Sequence, residues 1–265
     1  MVHRQRALVL LFAILFASLI AGSSPPTPQR ESAGEGGGRA AVHERLVRLP
    51  PSATRLAAIL HKQRTVAPKL GPSSAPHGHT GRAAVALTFD DGPDPRWTPR
   101  VLALLRRLQI KATFCVLGSR AREYPALIRQ MVTDGHTLCN HSLRHDLFLR
   151  RKSPRQIATD LRLSNDLITK AGGVAPRYFR APGGGWSAPI IAIAQQLGMR
   201  PLGWSVDPQD WRKPPVGQLI ASVTNNTRPG SIILLHDSGG DRGHTYAALR
   251  TLLPDLRRRF TLIPL

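Results

Sequence analysis

The sequence predicts an α/β domain with a parallel sheet, and three observations support that prediction. From residue 83 to residue 265, short apolar runs alternate with segments of helical periodicity, giving seven strand candidates separated by six helix candidates. Residues typical of helix ends lie at the borders of the helical segments, for example Ser153 before Pro154 at a start and Gly172 at the end of a long helical pattern. Polar motifs follow five of the strands. Active sites of such folds lie at the C-terminal ends of the parallel strands, so we expect a functional site at that edge of the sheet.

The strand candidates are short runs rich in apolar, β-branched and aromatic residues. Parallel neighbours need helical crossovers, which the segments between these runs supply. Seven strands are one fewer than in the common eight-stranded barrel. In chain order the runs are AAVALTF (83–89), ATFCVL (112–117), HTLC (136–139), RYFR (177–180), RPLGWS (200–205), SIILL (231–235) and FTLIPL (260–265).

The helix candidates have apolar residues at helical spacing between these strands. Pro254 lies inside the last candidate and is expected to kink or divide that helix. The candidates are TPRVLALLRRL (98–108), YPALIRQMVTDG (124–135), SPRQIATDLRLSNDLITKAGG (153–173), SAPIIAIAQQLG (187–198), PVGQLIASVTNN (215–226) and TYAALRTLLPDLRRR (245–259).

The N-terminus has the pattern of a signal peptide. A short basic stretch, MVHRQR, precedes the sixteen apolar and small residues ALVLLFAILFASLIAG, and prolines follow. We expect export through residues 1–23, with cleavage after Ser23 or retention as an uncleaved anchor, and a secreted or envelope-associated protein. Residues 24–82 are rich in Pro, Gly and Ser and are expected to form a mostly disordered linker before the domain at 83–265.

The chain is strongly basic, with 37 Lys and Arg against 16 Asp and Glu and a net charge of +21. Such a charge favours polyanionic partners. Export argues against nucleic acid as the partner, so we expect anionic cell-envelope polymers or lipids to bind the protein. We expect the protein to be monomeric. A basic envelope-binding module without catalysis is the rival hypothesis, and it would use the clusters at 150–152 and 257–259. Such clusters can also be ordinary helix ends, where cations suit the helix dipole.

The two cysteines, Cys115 and Cys139, lie on the second and third strand candidates. Sequential strands usually neighbour each other, and an exported chain meets an oxidising environment. We therefore expect a disulfide between them.

Two motifs at strand ends offer metal donors. LTFDDGPD places Asp90 beside Asp91 after the first strand, and HSLRH places His141 four residues before His145. The four-residue spacing predicts two imidazoles on one side of a helical turn, and a catalytic zinc site adds a carboxylate to two histidines. Either aspartate can supply it. The other can then face the metal's water as a base.

The remaining strand-end motifs supply partners for this centre. Arg180 can pair with the carboxylate that is not a ligand and keep it ionised. The glycines at 183–185 leave backbone N–H groups approachable for an oxyanion. His236 ends a strand, and Asp210 and Trp211 can tune that histidine and wall the pocket.

Together these motifs resemble the NodB-type polysaccharide deacetylases of carbohydrate esterase family 4. The five family motifs occur in order as TFDDGP (88–93), HSLRH (141–145), RAPG (180–183), DPQDW (207–211) and LLHD (234–237). The resemblance covers about residues 83–265 and implies a distorted (β/α)-barrel with about seven parallel strands. It departs from many members at Gly183, where they carry an aromatic residue.

The resemblance also implies residue roles and an activity. It assigns metal binding to Asp91, His141 and His145, the base to Asp90, its orientation to Arg180, the acid to His236 tuned by Asp210, and substrate binding to Gly183, Trp211 and Leu234. The expected metal is Zn²⁺, with Co²⁺ or another divalent ion as the alternative. The expected reaction releases acetate from an N-acetylated glycan, with cell-wall peptidoglycan first and chitin-like oligosaccharide second. Acetylxylan esterase is the alternative enzyme, because O-acetyl removal needs the same machinery.

Overall fold

A computed structural model of the chain describes residues 76–265. Seven strands alternate with seven helices in this part of the chain. The strands are β1 (Val85–Asp90), β2 (Thr113–Val116), β3 (Thr137–Asn140), β4 (Tyr178–Phe179), β5 (Arg200–Pro201), β6 (Ile232–His236) and β7 (Leu262–Ile263). The helices are α1 (Thr98–Arg107), α2 (Gly118–Glu123), α3 (Pro125–Thr133), α4 (Pro154–Gly172), α5 (Ala188–Gln196), α6 (Val216–Asn226) and α7 (Gly243–Arg259).

The strands form one parallel sheet in the order β5-β4-β3-β2-β1-β6, and β7 also pairs with β1. This arrangement confirms the predicted distorted (β/α)-barrel of about seven parallel strands. All six residues of β1 are buried, because the strand is paired on both sides and covered by helices. The strand that ends at Asp90 therefore lies in the interior of the sheet.

Short backbone pairings span the space between β5 and β6. Val206 pairs with Ile233 of β6, and His77 pairs with Leu202 just after β5. The backbone N–H of Thr80 donates to the Gly230 carbonyl at 2.9 Å. Residues 76–82, which the composition placed in the linker, thus contribute hydrogen bonds to the barrel, six residues or so ahead of the boundary expected at Ala83. The expected signal segment and the linker up to residue 75 lie outside the described residues and stay predictions.

The core of the barrel is built from the inward faces of the strands and the apolar stripes of the helices. Phe89 of β1 and Phe114 of β2 stack with ring centroids 5.1 Å apart, and Leu102 and Leu105 of α1 are fully buried with them. No helix among residues 76–265 is long and apolar enough to cross a membrane.

Two details of the helices differ from the sequence-based prediction. The helix α2 was missed, because GSRARE is too short and too polar to show a helical period. Pro254 does not divide the last helix, and α7 runs unbroken through it. Buried leucines on both sides of the proline, at Leu252, Leu253 and Leu256, hold the two halves of α7 against the barrel.

The cysteine pair lies at matching positions on neighbouring strands. Cys115 of β2 is the register partner of Cys139 of β3, and the two form a disulfide. Both side chains are fully buried. Within residues 76–265 there is therefore no free thiol.

A buried histidine outside the predicted site predicts a pH dependence of stability. His136 is fully buried, and its Nδ1 accepts a hydrogen bond from the Ala112 backbone N–H at 3.1 Å. Burial lowers the pKa of His136 from 6.5 to about 4, despite the opposing charge of Asp134. Between these values the unfolded chain binds a proton that the folded chain does not. The free energy of unfolding should therefore fall by up to about 3 kcal/mol as the pH drops from 6.5 to 4.

The test compares chemical denaturation of the wild type and of His136→Asn across this pH range. Asn offers an oxygen where His136 offers Nδ1, so the Ala112 N–H keeps an acceptor and the titrating group is gone. We expect a flatter pH profile for the variant. An unchanged profile would mean that other groups cause the acid sensitivity.

Candidate active site and metal centre

The predicted polar motifs meet at the C-terminal ends of the strands, an edge that we call the rim. Asp90 ends β1 and is the register partner of His236, which ends β6. His141 follows β3 directly, and Arg180 follows β4 directly. The parallel direction of the strands explains this meeting, because it brings their C-terminal ends to the same edge of the sheet. Four separate stretches of sequence thus place their functional side chains on one rim.

Three donors converge within this rim. The Oδ1 atom of Asp91 lies 3.5 Å from His141 Nε2 and 3.4 Å from His145 Nε2. One ligand atom from each of the three residues lies within 4.8 Å of the others. A tetrahedral ion with bonds of about 2.1 Å holds its donors about 3.4 Å apart. The spacing therefore suits a small tetrahedral cation.

The hydrogen bonds around these donors also fit a cation. His141 Nδ1 lies 2.8 Å from the Arg180 carbonyl, which can only accept, so Nδ1 carries the proton and Nε2 presents its lone pair. Burial lowers the pKa of His141, although Asp90 and Asp91 oppose that effect, which favours the neutral ligand form. The Oδ1 atom of Asp91 is buried and has no hydrogen-bond partner. A cation between Asp91 Oδ1 and the facing His141 Nε2 would satisfy both lone pairs.

The segment that carries the two histidines is a loop, and the predicted helical turn was wrong. Ser142 and His145 have φ angles of 72° and 59°, which no α-helix contains. The buried Asn140 and Ser164 fix this loop. Asn140 Oδ1 accepts from the Ser142 N–H at 2.9 Å and from the Ser164 hydroxyl at 2.8 Å. Asp160 on α4 accepts from the Leu143 N–H at 2.9 Å. Tertiary hydrogen bonds, rather than helical spacing, bring the two imidazoles together.

The aspartate pair is split by a turn at its second member. Asp91 leaves the strand with a φ of 74°, and as a result both carboxylates face the same imidazole. Asp90 Oδ2 lies 3.6 Å from His141 Nε2, while Asp90 Oδ1 accepts from the Arg180 guanidinium at 2.7 Å. Arg180 is fully buried and also donates to the Thr88 hydroxyl at 2.8 Å. The sequence predicted the Arg180 partnership, and the geometry identifies Asp90 as the carboxylate that Arg180 contacts.

The charge state of Asp90 follows from these contacts. Burial opposes ionisation of this carboxyl, but the charge and hydrogen bond of Arg180, with the charge of His236, outweigh burial and lower its pKa. Asp90 is therefore a carboxylate at neutral pH, with one oxygen held by Arg180 and the other directed towards the donor cluster. That is the state and the placement that a proton acceptor needs.

The second titratable pair at the rim is His236 with Asp210. Asp210 is fully buried, and its Oδ1 lies 2.7 Å from His236 Nδ1. Its Oδ2 accepts from the His236 backbone N–H and from the Thr245 hydroxyl, both at 2.9 Å. Burial alone would lower the pKa of His236, but the hydrogen bond and charge of Asp210 raise it to about 9. The ring is thus protonated at neutral pH and can give a proton away from its other nitrogen.

The three residues expected to bind substrate lie in different environments. Gly183 is exposed, with a φ of 56° that suits glycine, in the short 3₁₀ turn Pro182–Gly184. Trp211 is 45% exposed, and Arg212 stacks on its ring at 4.7 Å. Leu234 is buried inside β6 and offers substrate little surface. The roles of all three stay predictions.

One buried carboxyl beside the centre was missed. Asp237 follows His236 and is fully buried, and burial raises its pKa to about 7. The Thr98 hydroxyl donates to it at 2.5 Å and accepts from the Asp94 N–H at 2.7 Å. These bonds tie the turn after Asp91 to α1. The sequence signal was present in LLHD, but an aspartate beside a candidate histidine reads equally well as a turn residue.

Comparisons with known proteins agree with this geometry. Residues 77–202 match the family described as polysaccharide deacetylase. The chain is similar to a chitooligosaccharide deacetylase of Azorhizobium caulinodans, at 39% identity over 69% of this chain and 93% of that protein. It is also similar to a peptidoglycan-N-acetylglucosamine deacetylase of Bacillus cereus, at 38% identity over 66% of this chain and 82% of that protein.

A solved structure with the same fold adds a useful contrast. It is a mutant, with restored enzymatic activity, of a carbohydrate esterase family 4 pseudoenzyme from Bacillus anthracis. The TM-score is 0.67 at 29% identity, covering 73% of this chain and 70% of that chain. A chain with this fold can therefore lack activity.

Proposed function

This chain belongs to the polysaccharide deacetylase family, carbohydrate esterase family 4, and on that premise we propose that it hydrolyses N-acetyl groups of a cell-envelope glycan. Peptidoglycan N-acetylglucosamine is the first proposed substrate and a chitin-like oligosaccharide the second. The products are acetate and a free amino sugar. The similarity to relatives named for both substrates supports this choice.

One observation carries the proposal of catalysis. The three donors Asp91, His141 and His145 converge beside an ionised Asp90 that Arg180 holds at 2.7 Å. A binding protein has no need of an unpartnered carboxylate oxygen between two imidazole nitrogens, next to a second buried carboxylate. The complete set argues against the rival envelope-binding module.

Asp91, His141 and His145 would hold a divalent cation, and we propose that this cation is Zn²⁺. When bound, it would act as a Lewis acid that polarises water and the acetyl carbonyl. Asp90 takes a proton from the attacking water at Oδ2, because Arg180 occupies Oδ1. We propose that the Gly183 backbone N–H donates to the oxyanion that forms on the acetyl oxygen.

His236 completes the reaction at the leaving group. Asp210 holds Nδ1, so Nε2 is the nitrogen that protonates the departing amine. The C–N bond breaks as the nitrogen gains this proton, while the water oxygen stays with the acetyl carbon. Asp90 accepts one proton and His236 gives one, so the enzyme neither gains nor loses a net proton in these steps.

We test the proposal by measuring acetate release from peptidoglycan, chitin oligomers and acetylxylan, with the purified enzyme before and after chelation. The expected result is release from an N-acetylated glycan that chelation abolishes and added Zn²⁺ restores. Acetate release from acetylxylan alone would show that the protein is an esterase for O-acetyl groups and not a deacetylase for N-acetyl groups. No release from any of the three polymers by the metal-loaded protein would refute the proposed function.

We also propose that the protein is exported, from the basic stretch and the apolar run at 7–22 that precede the described residues. Envelope glycans lie outside the cytoplasm, so the proposed substrate requires this location. Fractionation of expressing cells should recover the chain in the medium or the envelope. Recovery only with the cytoplasm would contradict export.

A further inference from the structure

A surface patch beside the site has no role in the proposed chemistry. We call it the rim patch and define it as residues 144–152, a segment that includes the proposed ligand His145 and ends just before α4. Its Leu147 and Phe148 are 53% and 58% exposed, although large apolar side chains are otherwise mostly buried in this fold. Its exposed cations are Arg144, Arg150, Arg151 and Lys152. The single acidic residue in the patch is Asp146, which lies 3.4 Å from Lys152.

The rim patch touches the loop that carries the proposed oxyanion donor. A methyl group built on Gly183 would lie 2.9 Å from Leu147 Cδ2, so the leucine occupies the space in front of this glycine. A methyl group built on Gly185 would lie 3.6 Å from Arg150 Cδ. The apolar and the basic halves of the patch therefore both contact the loop that carries Gly183, the proposed oxyanion donor.

The dipole of α4 does not explain the cations of the patch, although Lys152 also lies near Asp146. Lys152 and Arg151 directly precede the N-terminus of α4, Arg155 lies in its first turn, and that turn contains no acidic residue. The positive end of the helix dipole disfavours cations there. The other basic cluster, Arg257–Arg259, is the last turn of α7, where the dipole favours cations. The helix dipole thus stabilises the cations at 257–259 and destabilises those just before α4.

The orientation of α7 makes the second cluster a control for the first. α7 begins after β6, at the rim, and ends just before β7, at the opposite end of the barrel. Arg257–Arg259 are exposed like the patch cations and equal in number to those at 150–152. The two clusters carry the same formal charge and lie at opposite ends of the barrel, and Arg258 and Arg259 also pair with Asp255 on α7.

We propose that the rim patch binds the glycan strand next to the reacting sugar, with Leu147 and Phe148 against a sugar ring and Arg150, Arg151 and Lys152 paired with carboxylates of the strand. The inference rests on the proposed function and narrows it to an anionic glycan. Charge complementarity supports this occupant, because the patch is basic beside a site that must admit a polymer. The apolar pair supports it as well, because sugar rings present C–H faces.

The test uses one polymer in two charge states: soluble peptidoglycan strands, native or with their carboxylates converted to neutral amides. Acetate release gives kcat/KM for each form. For the wild type we expect the native form to be preferred about tenfold, as three exposed ion pairs can provide, and the preference to shrink as added NaCl screens them. Combined Arg150→Gln, Arg151→Gln and Lys152→Gln should reduce the ratio towards one. Combined Arg257→Gln, Arg258→Gln and Arg259→Gln should keep the wild-type ratio.

The apolar half of the patch has a separate test. Leu147→Ser should raise KM for native and amidated strands alike, because the contact is with the sugar ring. Leu163→Ser is the matched control, since Leu163 is 48% exposed on α4 outside the patch. Equal KM values for Leu147→Ser and wild type would refute the apolar contact.

Three outcomes would overturn the charged contact. The first is an equal ratio of kcat/KM for native over amidated strands in all proteins, and the second is an equal loss of this preference in both triple variants. The third is that the triple variant at 150–152 loses binding to anionic lipid vesicles but keeps the wild-type ratio for the two glycans. The last outcome would mean that the patch faces lipid. If the wild type releases no acetate from either form, the proposed function fails. Co-sedimentation with native and amidated insoluble peptidoglycan then still decides whether the patch binds anionic glycan.

Discussion

Asp90→Asn is expected to lower kcat by about 10²–10⁴-fold while the protein keeps its full metal content. Asn has the shape of Asp90 but cannot accept a proton from water. The proposed donors are Asp91, His141 and His145, none of which changes. The variant should also be less stable by about 1–3 kcal/mol, because Arg180 is fully buried and loses its anionic partner at 2.7 Å.

The neighbouring aspartate should fail in a different way. Asp91→Ala removes one of three protein donors, so metal content and activity should fall together. Metal stoichiometry, acetate release and thermal unfolding of both variants are measured side by side, with Asp166→Asn on exposed α4 surface as the control. Loss of metal from Asp90→Asn alone would exchange the two roles. If both variants lose metal, or both keep substantial activity, the assignment of base and ligand is wrong.

The barrel and the position of the site were predictable because both depend on local features of the sequence. Alternating strand and helix patterns require parallel pairing, and parallel pairing brings all strand ends to one edge. Asp90 and His236 were therefore expected at the same edge, although 146 positions separate them, and the structure makes them register partners. The Cys115 and Cys139 pairing follows from the same rule for neighbouring strands.

What the sequence could not supply are features that depend on contacts between distant segments. The loop at 141–145 takes left-handed turns that a helical spacing does not suggest, and Asn140 and Ser164 stabilise them from inside the fold. Residues 76–82 have the composition of a linker, because two isolated pairings, at His77 and His79, leave no periodic pattern in the sequence. The approach of Leu147 to Gly183 likewise joins two loops whose proximity is set only by the packing of the rim.

His236→Ala should lower kcat by about 10²–10⁴-fold and leave metal content unchanged, because His236 is proposed as the acid and not as a ligand. Exposed His244 gives the matched control, and His244→Ala should retain wild-type turnover. Metal analysis and acetate release are measured on the same preparations. Parallel loss of metal and rate in His236→Ala would make this residue a fourth ligand.

The partner of His236 allows a sharper test through pH. The pKa of His236 is raised to about 9 by Asp210, so the proton needed by the leaving amine is present at lower pH and lost as the pH rises through about 9. Asp210→Asn removes the charge that opposes burial, so the protonated form of the ring should be lost at a lower pH. The alkaline limb of kcat/KM should then move towards neutrality, whereas a merely structural role would lower the whole profile without moving it. An alkaline limb at the same pH in wild type and Asp210→Asn would show that His236 does not supply the proton.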